Sequence, residues 1–337
     1  MEINRFKGHF SSKSGLIFRE VRYGIIIWTI AMAPLIIFII SAEILIDCKV
    51  TPYFNPNFFR SGSTSNIINY LTFSATHITI SCFFIVNHFA GDINSASKIK
   101  QKYIKLYSLL LFVIISTLFI ISLNVWDMTI EKLSHQLIFP LLKNLSILRK
   151  WFNPPSWWSH LFGFHPFSVF AIGLILLGEL AGICITFQIA QIVTKMESIK
   201  ESNFWDEKIR FLFKQFQGCV LKLVITLVTS SATTSVYFLM PISGKHYLEQ
   251  DYTLYARSMS IYWGMVFSLM AFSILIWPYI CYRKRLRYFY RLDLAGKPDW
   301  VTRLQINNSG LQLIQDNLYF VLSLVFPLLS AIISQLI

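Results

Sequence analysis

The chain has 337 residues, of which 55% are hydrophobic and only 14% are charged. A soluble domain carries about 25% charged residues, and here the deficit accompanies several separate apolar runs of about 20 residues, the length that crosses a bilayer. The net charge of +13 does not indicate a nucleic-acid-binding protein, because most basic residues lie between the apolar runs and no readout module accompanies them. The sequence predicts an all-α, polytopic membrane protein with a bundle of about seven helices.

The N-terminal segment, residues 1–22, is basic and is predicted to be cytoplasmic. One transmembrane domain is predicted to follow at residues 23–337, and its first span at residues 23–46. This apolar run is about twice the length of a signal-peptide core and lacks a small-residue cleavage site, so it is expected to remain as a span. Pro34 lies near its middle and is expected to kink the helix.

The second predicted span, residues 66–90, is the most polar. Its first polar stripe follows helical spacing, with side chains three, four or seven positions apart: Tyr70, Ser74, His77, Ser81 and His88. A second stripe, formed by Thr72, Thr76 and Thr79, lies almost opposite. Polar groups on two sides predict a span that is surrounded by protein rather than by lipid.

The third predicted span, residues 106–126, has few polar side chains and is expected to face lipid. The long connection after it, residues 127–166, contains a proline-interrupted apolar segment and three closely spaced tryptophans. Tryptophan favours the headgroup layer, so residues 134–165 are predicted to form an interfacial hairpin on the outer leaflet. A cap over a pore mouth is the alternative.

The fourth predicted span, residues 167–194, carries one ionisable residue, Glu179, near its middle. A charge at that depth costs about 2.5–3.5 kcal/mol on insertion scales, so such residues face the interior of a bundle. Gly178 and Gly182 are four positions apart, which is the small-xxx-small spacing that lets another helix approach closely. Glu179 therefore marks the predicted interior of the protein.

The fifth predicted span, residues 219–241, has one hydroxyl-bearing face, and Lys222 lies near its inner end, from which it can snorkel. The hydroxyl face consists of Thr226, Thr229, Ser230 and Thr233. Before this span, residues 196–218 combine charges of both signs with aromatic residues, which predicts an amphipathic helix on the inner membrane surface.

The sixth predicted span, residues 259–282, is followed at once by basic residues that are expected to contact lipid headgroups or a partner. These residues are Arg283, Lys284, Arg285, Arg287 and Arg291. The seventh apolar run, residues 312–337, has Pro327 at its centre. A re-entrant or flat arrangement of this run therefore remains an alternative to a full span.

The basic residues also predict an orientation. With the N-terminus inside, the four inner segments carry 21 Lys and Arg residues and the three outer loops carry 8. An excess on alternate connections is what the positive-inside rule requires. The prediction is a multi-pass protein of the cell (inner) membrane with a cytoplasmic N-terminus, in a bilayer with anionic headgroups.

Three polar residues lie near the midpoints of their spans, at one predicted depth: His77, Glu179 and Ser230. We expect spans two, four and five to meet there, with His77 and the hydroxyl face as the first partners of Glu179. The predicted polar cluster comprises His77, Glu179, Thr186, Thr226, Ser230 and Thr233, and Gly178 and Gly182 are the predicted helix-packing residues. The cluster either lines a pathway for protons, ions or a small polar solute, or only holds the helices together.

No enzyme motif is present, such as HExxH, GxSxG or a phosphate-binding glycine loop. The five cysteines form no CxxC motif, and neither a metal site nor a cofactor is predicted. The sequence predicts a channel or transporter and not an enzyme. The alternative is a membrane-embedded interaction subunit, or a membrane-disrupting effector, that docks a cytoplasmic protein through its basic and amphipathic segments. Recurring small-residue faces favour a homo-oligomer.

Overall fold

A computed structural model of the chain describes residues 19–30, 64–90, 98–125, 166–199, 205–240 and 249–294, with short stretches at 325–327, 329–330 and 332–333. Within these ranges every element is an α-helix and there is no strand. The helices are α1 at residues 19–30, α2 at Thr64–Ala90, α3 at Lys98–Val125, α4 at Pro166–Glu197, α5 at Trp205–Leu239 and α6 at Glu249–Leu294.

Four of these helices are long and apolar enough to cross a membrane. The stretches are Asn66–Ala90 in α2, Val169–Glu197 in α4, Phe211–Leu239 in α5 and Ala256–Cys281 in α6. They correspond to the second, fourth, fifth and sixth predicted spans. The prediction of an all-α membrane protein is confirmed at this level.

Several predictions lie outside the described residues. They include the interfacial hairpin at 134–165, most of the basic N-terminal segment, and most of the first and seventh predicted spans. The third predicted span falls within α3, apart from its last residue.

Residues 196–218 were predicted to form an amphipathic helix on the inner membrane surface; from Trp205 onward the helix and its two-sided character are confirmed, but its placement on the surface is wrong. Instead, α4 continues to Glu197 and α5 begins at Trp205, from which it runs without interruption into the membrane stretch. The physical reason is burial: Ile209, Leu212 and Phe216 recur at helical spacing and are buried within the protein. The apolar side of this segment thus extends the packed face of α5 instead of lying on a membrane surface.

Helix α6 is also longer than the sixth predicted span. It begins at Glu249, ten residues before residue 259, and it continues to Leu294 through the basic sequence after the span. Its 46 residues correspond to about 69 Å at 1.5 Å per residue. A hydrocarbon layer is about 30 Å thick, so both ends of this helix extend beyond the layer.

Helix α4 lies at the centre of the bundle, where it contacts α2, α3, α5 and α6. Residues 181–187 are buried on every side of the helix. A helix that is apolar all round is stable only when other elements cover it. The central position of α4 therefore follows from its composition, and it places Glu179 just before the most deeply buried part of the bundle.

Aromatic contacts define the relative directions of the helices. Near the start of α2, the Tyr70 ring lies 6.4 Å from Phe170, at the start of α4, and 5.7 Å from Tyr237, at the end of α5. Helices α2 and α4 therefore run parallel, and α5 runs antiparallel to both. We call the opposite end of the bundle, where α2 and α4 end and α3 and α5 begin, the basic end. The segments that were predicted to be on the inner side attach there.

The second polar stripe of α2 does not face protein, which corrects the prediction. Thr72, Thr76 and Thr79 are all exposed at the surface. Each donates its hydroxyl hydrogen to the carbonyl four residues earlier, at 2.8–2.9 Å. A threonine can satisfy its hydroxyl within its own helix in this way, so the stripe needs no neighbouring helix.

At the basic end, Glu197 joins α4 to α1. Its carboxylate accepts a hydrogen bond from Arg19 Nη2 at 3.0 Å. Both carboxylate oxygens also lie within 3.0–3.1 Å of the Tyr23 hydroxyl oxygen, which donates to them. The Arg19 side chain is 51% exposed and that of Glu197 is 24% exposed. Solvent therefore screens the ion pair, and the half-buried tyrosine contact contributes more of the stability.

We expect Glu197→Ala to lower the free energy of unfolding by about 1–2 kcal/mol, because the charged acceptor of the Tyr23 hydroxyl is lost. Glu197→Gln retains an oxygen acceptor and is expected to lower it by less than about 1 kcal/mol. Denaturant unfolding in detergent micelles measures both values. Lys195→Ala, at an exposed position on the same helical turn, is the control. Equal losses for Glu197→Ala and Lys195→Ala would show that this contact does not stabilise the bundle.

Candidate functional site

His77 lies where α2, α4 and α5 meet, and its side chain is 2% exposed. The ring Nδ1 is 3.0 Å from Thr229 Oγ1 on α5, and Nε2 is 3.2 Å from the Leu174 carbonyl oxygen on α4. Both ring nitrogens thus have partners on neighbouring helices. The imidazole is held in one orientation at the junction.

Gly178 makes this junction possible. A Cβ atom at this position would lie 2.9 Å from His77 Nε2 and 3.3 Å from Ser230 Oγ. The absence of a side chain therefore leaves room for the imidazole against the backbone of α4. It also leaves the Leu174 carbonyl, one turn earlier, open to His77. The structure thus brings three of the predicted residues together: His77, Gly178 and Ser230.

The Thr229 hydroxyl has two possible acceptors, because it lies 3.0 Å from His77 Nδ1 and 3.0 Å from the Thr226 carbonyl. With neutral His77, Nε2–H donates to Leu174 and the hydroxyl donates to Nδ1. With protonated His77, Nδ1–H donates to Thr229 Oγ1 and the hydroxyl donates to Thr226 instead. A rotation of one hydroxyl group therefore satisfies either protonation state of the imidazole.

Glu179 is not the partner of His77, contrary to the expectation from depth. Both ring nitrogens of His77 have other partners. Among the described residues, the buried Oε1 of Glu179 has no hydrogen-bond partner. Successive residues of a helix are rotated by about 100°, which directs Glu179 away from the His77 side of Gly178. Gly182, one turn after Gly178, faces α1 instead, since a Cβ at Gly182 would be 3.3 Å from the Trp28 ring.

The predicted hydroxyl residues form bonds within their own helices. On α4, Thr186 donates to the Gly182 carbonyl at 2.8 Å. On α5, Thr226, Ser230 and Thr233 donate to carbonyls four residues earlier, at 2.8–2.9 Å. Their hydrogens are thus used, while the hydroxyl oxygens can still accept hydrogen bonds. In this arrangement the hydroxyl face of α5 presents acceptors to the interior.

Buried polar side chains extend along α2 on both sides of His77. The whole first stripe is buried in the structure, with exposed fractions of 0–7%: Tyr70, Ser74, His77, Ser81 and His88. The stripe reaches from the Tyr70 cluster at one end of the bundle to the basic end. His77 therefore lies within a continuous series of helical turns that carry interior polar groups.

Sequence reasoning missed two partners in the site. Thr229 was on the predicted hydroxyl face but was not included in the predicted cluster. The Leu174 carbonyl was missed because backbone groups inside a helix are normally inaccessible to other side chains. The signal for the carbonyl was Gly178, since a glycine one turn after a carbonyl uncovers it to a neighbouring helix.

The basic residues after the sixth predicted span lie on the last part of α6. Lys284 is exposed, and the side chains of Arg283, Arg285, Arg287 and Arg291 are outside the described part of the structure. Within the described ranges, no group of three or more His, Cys, Asp or Glu side chains is arranged to hold a metal ion.

The chain matches no protein-family model, no curated protein and no solved structure.

Proposed function

We propose that the protein conducts protons across the membrane through the junction at His77, as a channel or as a proton-coupled transporter. One observation carries this proposal: the imidazole bridges three helices through hydrogen bonds that can be satisfied in either protonation state. A buried histidine that only held helices together would need a single fixed arrangement.

Protons are favoured over ions and polar solutes because the junction is tightly packed. The space at Gly178 is too small for even one additional carbon atom without displacement of the His77 ring. A hydrated ion needs an open path, whereas a proton can pass along hydrogen bonds. In the proposed step, His77 takes up a proton from one side of the junction at Nδ1 as the Thr229 hydroxyl turns to the Thr226 carbonyl. The imidazolium then releases its Nε2 proton toward the other side, and exchange back to the Nε2–H tautomer restores the starting arrangement.

We propose seven spans for the conducting unit, and packing of the first and seventh runs supports this number. A Cβ at Gly182 would lie 3.3 Å from Trp28, so the first run packs closely on α4. Near the middle of the fifth predicted span, Ser231 Oγ donates to the Pro327 carbonyl at 2.8 Å, and Ser330 Oγ donates to the Val228 carbonyl at 3.2 Å. The last run thus contacts α5 close to the level of His77. We also propose the inner membrane as its location, and the charge distribution supports a cytoplasmic N-terminus.

Proton flux into proteoliposomes tests the proposed function. The liposomes contain a pH-sensitive dye, and a potassium gradient with valinomycin sets the membrane potential. We expect wild-type protein to acidify the lumen. We expect His77→Gln and Thr229→Val to lower the rate by about tenfold or more, as for removal of a positioned proton-transfer group. Thr229→Ser retains the hydroxyl and is expected to retain most of the rate.

Thr76→Val is the matched control, because Thr76 is next to His77 in the chain but lies on the exposed side of α2. Its rate is expected to equal that of the wild type. The proposal fails if wild-type vesicles acidify no faster than empty ones. It also fails if folded His77→Gln protein conducts as well as the wild type.

The alternative function is that of an interaction subunit or a membrane-disrupting effector. It is favoured by the length of α6, which continues through its basic sequence to Leu294. This extension provides surface for a cytoplasmic partner. Folded wild-type protein without any flux would favour this alternative.

A further inference from the structure

A second group of polar side chains lies at the basic end, where α2 ends and α3 begins. His88 is 7% exposed, and its Nε2 is 3.2 Å from Ser108 Oγ on α3. One turn before Ser108, the ammonium group of Lys105 donates to the Phe89 carbonyl at the end of α2. These contacts place a histidine and a lysine side by side.

A third basic residue reaches the same place from α5. Lys222 Nζ donates to Gln188 Oε1 on α4 at 3.3 Å. On the parallel helices α2 and α4, His88 follows His77 by 11 residues and Gln188 follows Leu174, the partner of His77, by 14 residues, so Lys222 reaches nearly the level of His88. Basic groups from three helices thus converge at one end of the bundle, with a polar side chain of α4 beside them.

This basic cluster, formed by His88, Lys105 and Lys222, has no acidic partner among the described residues. Within the described ranges, the one ion pair is Arg19 with Glu197, which belongs to the contact between α1 and α4. Partly buried like charges are poorly screened by salt and repel each other. A bound anion would remove that repulsion.

The cluster also has hydrogens to donate to an anion. Ser108 Oγ donates to the Ile104 carbonyl at 2.9 Å, so it accepts from His88 Nε2–H. An ammonium group has three hydrogens, and the two lysines each use one in the contacts above. Several donors therefore remain for oxygen atoms of a ligand.

The depth of the cluster suits a lipid headgroup. Lys222 precedes Thr229 by seven residues, which places it about 10 Å along the helix from the level of His77. Half of a hydrocarbon layer is about 15 Å, so lysine ammonium groups can reach the phosphate layer. Beside Lys105, α3 exposes Leu106, Leu110 and Val113 at the surface. An acyl chain would cover this apolar side of α3.

We propose that the basic cluster is a binding site for a phosphate group, either that of an anionic phospholipid or free inorganic phosphate. The proposal does not depend on proton conduction by the protein. The exposed apolar side of α3 favours the lipid, because only the lipid contacts both surfaces.

Binding to the purified full-length chain in a neutral detergent tests this proposal. Isothermal titration calorimetry is performed with short-chain phosphatidylglycerol, with phosphatidylcholine of the same chain length, and with inorganic phosphate. We expect phosphatidylglycerol to bind and phosphatidylcholine to bind more weakly. Lys105→Gln and Lys222→Gln are each expected to weaken phosphatidylglycerol binding by about tenfold, because each removes a charged donor.

Lys102→Gln and Lys214→Gln are matched controls, since both lysines are exposed on the same two helices. Binding to these variants is expected to be unchanged. Competition by inorganic phosphate would identify a site for the free anion, and its absence would identify a lipid site. The proposal is overturned if wild-type protein shows neither a preference for phosphatidylglycerol over phosphatidylcholine nor binding of inorganic phosphate, or if the control variants lose as much affinity as Lys105→Gln. If a variant does not fold, the comparison of the two lipids and of inorganic phosphate on wild-type protein still tests the proposal.

Discussion

Replacement of Gly178 by alanine is expected to lower the free energy of unfolding by about 1–3 kcal/mol, the usual effect of overpacking a filled site. The added Cβ would lie 2.9 Å from His77 Nε2 and 3.0 Å from Cε1. Real Cβ atoms essentially never approach other atoms so closely, so the imidazole must move. Its movement breaks the bond to the Leu174 carbonyl and leaves that ring nitrogen without its partner.

Denaturant unfolding in detergent micelles, followed by circular dichroism, measures this loss. Gly173→Ala is the matched control on the same helix, because a Cβ at Gly173 would meet nothing within 4 Å. Alanine also has the higher helix propensity, so this variant is expected to be as stable as the wild type or more stable.

A double-mutant cycle identifies the atoms that are in conflict. In the background of His77→Ala the imidazole is absent, so Gly178→Ala should then have little effect on stability. If Gly178→Ala destabilises that background by the same amount, the close contact with His77 is not the cause.

Replacement of Gly24 by alanine is expected to lower the free energy of unfolding by about 3 kcal/mol, at the upper end of overpacking effects. A Cβ at this position would lie 2.7 Å from Phe187 Cε1 and 2.9 Å from Cδ1. The Phe187 ring is 1% exposed, and Ile185 and Ile189 on the same helix are fully buried. The ring has little space to move into, so the backbone of α1 must separate from α4.

Phe187→Leu tests this explanation, because leucine removes the ring edge that the new Cβ would meet. Gly24→Ala is expected to destabilise the Phe187→Leu protein much less than the wild type. Gly218→Ala on α5 is the control, since nothing lies within 4 Å of its Cβ position, and it should be tolerated. Comparable losses for Gly218→Ala and Gly24→Ala would exclude a specific contact between α1 and α4.

The first polar stripe of α2 was predictable because helical spacing alone places its members on one face. A stripe that includes His77 and His88 is too polar to face lipid, and the structure buries it. The same reasoning failed for Thr72, Thr76 and Thr79, because threonine satisfies its hydroxyl on the preceding turn. Hydropathy patterns do not distinguish a threonine whose hydroxyl bonds to its own helix from one whose hydroxyl bonds to a neighbouring helix.

The failure at residues 196–218 has a different cause. Charged residues before Gly218 suggested a surface helix, since charge and aromatic content are typical of the membrane interface. Burial of Ile209, Leu212 and Phe216 instead continues the packing of α5 before the fifth predicted span, within one uninterrupted helix. Composition shows where the apolar run begins. The helix itself begins earlier, at Trp205, because packing and backbone hydrogen bonds continue before the run.

The sequence by itself determined the helical membrane class and the candidate interior residues, because a bilayer admits few backbone structures and excludes unpaired charge. It also determined that His77 and Gly178 belong near one depth. Only the tertiary structure decided that His77 bonds to Leu174 and Thr229 rather than to Glu179. That choice depends on the rotation of α4 about its axis, which sets whether Gly178 or Glu179 faces α2. Contacts along the whole helix determine this rotation, and no local pattern around Glu179 records it.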